Sequence, residues 1–224
     1  MTSKWVRRVQ AQRHYSVDWR FISLRLLNSA VDYDAQFPPE YEAGHTAGLR
    51  LLRVAARVRA EHGREAVGPL YAAFGAHIFD REPVPDDAGQ HDRRATRELV
   101  EPILVEAGLP AGLVDALDDP SWDAEIQAET AEALALTGKD VGTPIIHFEP
   151  PTGVAFFGPV ISRLPSDAEA VPLWDHVVGL ARFPGFAELK RSLREVPQLR
   201  ALGVSDNEAG AEQQWYGGSR RLKT

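Results

Sequence analysis

From Pro38 to about Thr137 the apolar residues recur three and four positions apart, and that run lies between two stretches whose pattern has a period of two. A three-to-four spacing is the mark of a helix with one buried face, whereas alternation marks a half-buried strand. The change of period constrains the fold more than any other feature. Strand-type segments on either side of a long helical block have to meet in one layer, with the block emerging as an insertion. The expected class is therefore α/β, a small sheet interrupted by helices.

The elements follow in order. Residues 2 to 13 form a helix with Trp5, Val6 and Val9 on one face and Lys4, Arg7 and Arg8 on the others. "VDWRFISLRLL" (17–27) alternates Val17, Trp19 and Phe21 against Asp18 and Arg20, and is expected to be a strand. "YEAGHTAGLRLLRVAARVRAEHG" places Leu51, Leu52, Ala55 and Val58 on one face and stops at Gly63. A helix over 64–79 precedes the loop "DREPVPDDAGQHD", rich in proline and aspartate. Helices are then expected near 92–107, 110–118 and 121–137, the last capped by Asp119 or Ser121. After Gly138 the period shortens: "TPIIHF" and "GVAFFG" are strands joined through "EPPTG" into a hairpin. Ser166 and Glu169 have capping-box spacing and open a helix to Arg182, followed by a short helix "GFAELKRSL". The sequence divides into an α/β domain (1–37 and 138–196), a helical insertion (38–137) and a polar, glycine-rich tail (197–224) expected to be disordered.

Composition limits the chemistry. A net charge of −7 argues against general nucleic-acid binding and against anionic membrane surfaces. No apolar run is long enough to span a bilayer, and the N-terminus lacks the apolar stretch of a secretory signal, so a cytoplasmic protein is expected. There is no cysteine, which removes disulfides and thiolate metal sites within these residues. His14, His45, His62, His77, His91, His147 and His176 show no metal-ligand spacing, so no metal site is expected. "GREAVGPL" has two glycines at phosphate-loop spacing, but Pro69-Leu70 stands where Lys and Ser/Thr are required.

Three features remain. Arg50, Arg53 and Arg57 form a basic stripe, either a solvated face or a holder for the carboxylate of an anionic thiol. Trp5, Trp19, Tyr71 and Phe74 are core residues or pocket walls. Gly142-Thr143-Pro144 is a turn running into a strand, a plausible place for a cis peptide bond.

"VGTPIIHF…GVAFFGPVISRLPSDAEAVPLWDHVVGLARFPGFAELKRS" resembles the end of the DsbA-like thioredoxin-fold oxidoreductases, in particular their mycothiol-dependent, nitroreductase-like branch. "FPPEYEAG", "GPLYAAFG" and "AGLPAGLVDAL" look like that branch's helical insertion, and "MTSKWV" like the segment after its active-site motif. The resemblance spans about residues 2 to 194. It implies a thioredoxin-like sheet with a helical insertion and thiol–disulfide exchange with a low-molecular-weight thiol. It also implies a nucleophilic cysteine, in a Cys-Pro-Trp-Cys or Cys-Pro-Trp-Ala motif at the N-terminus of the first helix, where the helix end stabilises a thiolate. Gly142, Thr143 and Pro144 would present the substrate, with Trp5 in the pocket wall, and a homodimer is left open. Here the matching helix begins at Thr2, and the family's first strand and cysteine motif are lacking. The expectation is a family member whose first strand and nucleophile lie upstream of Met1. The other reading is a non-catalytic relative that binds a thiol compound or a partner strand.

Overall fold

In the computed structural model, residues 1–36, 39–82, 93–138, 142–191, 193–204, 210 and 212–214 are described. The described residues form two compact units, one built from Met1–Val17 with those from Ala133 onward and one from Asp18–Glu132. The periodicity of the sequence places these boundaries at 37/38 and 137/138 instead.

In the first unit, α1 (Thr2–Gln12) buries Trp5 and Val9 and exposes Gln10 and Gln12. The second unit begins with an extended segment and two single-turn helices, α2 (Leu24–Leu27) and α3 (Tyr33–Gln36). It continues with α4 (Pro39–His62), a 3-10 turn at Arg64–Ala66, α5 (Val67–Phe79), α6 (Arg97–Glu106), a 3-10 segment Ala111–Asp118 and a 3-10 turn Pro120–Trp122. The long α7 (Asp123–Thr137) crosses the boundary between the units. Gly63, at φ 89°, ends α4 in a conformation that side chains disfavour, and Asp119 accepts from the Ser121 amide at 3.0 Å as the expected cap. The apolar faces close over Val54, Val58, Leu70, Val100, Ile103, Leu104 and Ile126, all fully buried. Of the loop 80–92, residues 83–92 lie outside the described residues.

Residues 17–27 are not a strand. The chain is extended only to Ile22 and then turns into α2, where Ser23 caps the helix by accepting from the Leu26 amide at 3.3 Å. The alternation was a correct sign of one buried side, since Phe21 is buried, but a strand also needs a neighbour for its backbone. Here α7 supplies side chains in that role. The Phe21 amide donates to Glu129 Oε2 at 2.7 Å and the Ser23 amide to Thr130 Oγ1 at 3.0 Å.

Back in the first unit, β1 (Ile145–His147) and β2 (Ala155–Phe157) form the expected antiparallel hairpin, with Ile146 opposite Phe156. The capping box at Ser166 and Glu169 opens α8 (Asp167–Arg182), which packs on α1 through Ala170. Two later expectations fail. "GFAELKRSL" is not helical over 185–191: Leu189 is 82% exposed, so the pattern has no surface to bury against. The stretch from 197 onward was expected to be disordered, yet β3 (Leu193–Glu195) pairs antiparallel with β4 (Glu212–Gln214), and a 3-10 turn occupies Arg200–Leu202. Polar composition had hidden a segment held by charge. Residues 205–209, 211 and 215–224 of that stretch lie outside the described residues.

Candidate functional site

Gly142, Thr143 and Pro144 lead into β1, and the Thr143–Pro144 peptide bond is cis. Thr143 is exposed, and a Cβ on Gly142 would stand 3.6 Å from the Phe157 ring, an ordinary contact. The hydrogen-bonding phase of the hairpin determines what this edge offers. The Gly158 amide donates to Pro144 O and the Phe148 amide to Val154 O, both at 2.8 Å. Positions 144, 146 and 148 therefore bond to β2, while the N–H and C=O groups of Ile145 and His147 face the other way. Both residues are half-buried. The result is a short strand edge with donors and acceptors directed at whatever lies beside it. Behind it, Phe148 contacts Trp174 (ring centroids 5.5 Å apart), and Trp174 meets Trp5 edge-on at 5.5 Å and Tyr15 at 5.8 Å. The Trp174 Nε1 is buried with no hydrogen-bond partner among the described residues.

Trp5 belongs to that support. It is fully buried and donates from Nε1 to Ala170 O at 2.9 Å, so its position is in the core of the first unit. The start of α1 is electrostatically plain: Met1 gives no side-chain cap and the first turn holds no acidic residue, which leaves the positive end of the helix uncompensated by its own sequence. Thr2, also buried, donates from Oγ1 to Pro159 O at 2.9 Å.

The arginine stripe is fully engaged within the second unit. Arg50 pairs with Asp118 at 2.7 Å, and Arg53 grips both oxygens of Asp123 at 2.7 Å while donating to Leu117 O. Arg57 pairs with Glu61 and donates to Gly112 O. These side chains fasten residues 111–123 onto α4, and an anionic thiol would have to displace a carboxylate from each. Trp19 and Tyr71 meet edge-on at 5.5 Å, and Phe74 is buried, so this aromatic set is core.

Sequence patterns missed two polar centres in the second unit. Arg59 and Glu129 are both buried, with Nη1 2.9 Å from Oε1, and the Arg59 guanidinium lies 4.0 Å over the Phe21 ring. Arg20 reaches the same carboxylate at 2.7 Å. A lone Arg or Glu inside a helical pattern gives no signal of such pairing. The second centre joins Tyr33 Oη and His45 Nδ1 at 2.9 Å, with Arg25 4.9 Å above the Tyr33 ring. Burial, and then the nearby Arg25 charge, lower the His45 pKa, while burial raises that of Tyr33, so both are neutral near pH 7. Among the described residues no group of His, Asp and Glu could hold a metal, and no helix is long and apolar enough to cross a membrane.

The likeness to known proteins covers most of the chain. The uncharacterized protein Rv2286c of Mycobacterium tuberculosis is 31% identical over 191 residues, which is 85% of this chain and 75% of that protein. Residues 1–191 match the Rv2466c-like family, described as mycothiol-dependent nitroreductase Rv2466c, which makes thiol-dependent oxidation and reduction the chemistry of the family. On the extent of that match, the chain belongs to the Rv2466c-like family.

Proposed function

We propose that this chain is the thiol-binding part of a mycothiol-dependent reductase with a thioredoxin-like sheet, working in the cytoplasm, and that the edge of β1 from Thr143 to His147 receives the thiol or its disulfide. The observation that carries the reading is the outward-facing backbone of Ile145 and His147 beside the exposed Thr143, within a chain that matches the family over 1–191. An extended thiol compound or peptide has amide groups that such an edge can pair with, as in strand addition. The chain's own residues bind and orient. With no cysteine, the sulfur nucleophile comes from outside these 224 residues, either from the small thiol itself or from a preceding segment. In the redox step two thiols become one disulfide, releasing two electrons and two protons to the acceptor.

A second reading, a binding protein without turnover, is favoured by the same absence of cysteine. Titration calorimetry with mycothiol and with its disulfide, followed by an assay of thiol-dependent reduction of a nitroaromatic acceptor, separates the two. Binding with thiol-dependent turnover supports the reductase. Binding without turnover supports the second reading, and no binding of either probe rejects both.

A further inference from the structure

The segment after the family match folds back onto the first unit, and one carboxylate holds it there. Glu195, in β3, accepts from Ser162 Oγ at 2.6 Å, from Arg163 Nε at 2.8 Å and Nη2 at 2.6 Å, and from the Gly210 amide at 2.7 Å. Three stretches of chain thus meet at one side chain: the loop after β2, β3 itself, and the approach to β4. The Gln198 amide adds a bond to Ser162 O at 2.8 Å. These are charge-assisted bonds with paired donors from the arginine, the strongest kind for fixing geometry. The loop they hold is tied on its other side to α1. Its first residue, Pro159, accepts from Thr2 Oγ1 at 2.9 Å, and Arg8 donates to Pro165 O and pairs with Asp167 at 2.8 Å.

We infer that residues 193–204, with Gly210 and β4, are a strap that positions the N-terminal turn of α1 by fixing loop 159–163 through Glu195. Without the strap the loop keeps the packing of Ile161 and Leu164 on Trp5, Val9 and Ala170 but loses every bond at Ser162 and Arg163, and the Thr2 bond loses its rigid acceptor. The inference rests on the proposed function in one respect, because the start of α1 is where the family resemblance places the reacting thiol. In that role Glu195 is a positioning residue, touching no substrate.

Hydrogen exchange of the full chain tests it, in Glu195→Gln and, as a milder variant, Ser162→Ala. The expected result is roughly ten-fold faster exchange in residues 193–204, in loop 159–165 and in the first turn of α1, with α4 to α6 unchanged. Faster exchange confined to 193–204, with the start of α1 as protected as before, would overturn it. General loss of protection in Glu195→Gln passes the decision to Ser162→Ala, read by the same criterion. Because exchange is measured without thiol, the strap and the thiol-binding proposal fail independently.

Discussion

At Glu129 one buried carboxylate serves the Arg59 guanidinium, the Arg20 guanidinium and the Phe21 amide. Removing one partner of a buried pair leaves an uncompensated charge, so Glu129→Ala should destabilise the chain by about 3–5 kcal/mol in denaturant titration. Replacing both Arg59 and Glu129 with apolar residues should recover much of that loss. Trp5→Ala should cost about 3–5 kcal/mol, because the site loses a filled volume and the bond to Ala170. Glu195 responds to pH differently. Its bonds to Arg163, then Ser162, hold its pKa at about 2, below the ordinary value of 4.5. A depressed carboxylate contributes stability that is present above the ordinary range and is lost as pH falls through the lowered value. Protection of the Gly210 amide should therefore persist at about pH 4 and disappear near pH 2.

Among the elements, the β1–β2 hairpin is the most demanding. A Cβ at Gly153 would lie 1.8 Å from Phe148 O and 2.8 Å from Glu149 O, so no side chain fits while the Phe148–Val154 pairing persists. Gly153→Ala should lose the amide shifts of the hairpin in NMR spectra and weaken thiol binding together. The hairpin was legible in the sequence because its cues are local: Gly153, the prolines of the turn, and β-branched or aromatic residues on both sides. The helical block was legible for the same reason. Segment 17–27 was not, because its partner is a set of side chains on α7 more than a hundred positions away, and alternation cannot distinguish a strand from an extended segment docked on a helix. The pairing of β3 with β4 was invisible for a related cause: it depends on Glu195, Arg163 and Gly210 meeting, not on apolar periodicity.

For the whole molecule, two units share α7, and their polar centres have different tasks. The arginines of α4 looked like ligand holders in the sequence, but the carboxylate partners of Arg50 and Arg53 lie 68 and 70 positions on, and that of Arg57 is Glu61, one helical turn away. Arg53→Ala should loosen residues 111–123 toward exchange while leaving affinity for mycothiol disulfide unchanged. The candidate site residues were legible only in part. Gly142, Thr143 and Pro144 stood out as a turn before a strand, whereas the outward phase of Ile145 and His147 required the register of the hairpin. The most direct measurement is an NMR titration of the isotope-labelled chain with mycothiol disulfide, repeated for His147→Pro, which removes one outward-facing N–H and the imidazole bond to Gly153 O but leaves the backbone bonds of positions 144, 146 and 148 in place. The account predicts saturable shifts centred on residues 142–148 and about ten-fold weaker binding in the variant, the worth of one or two hydrogen bonds. Shifts centred elsewhere, or equal affinity in the variant, would contradict it.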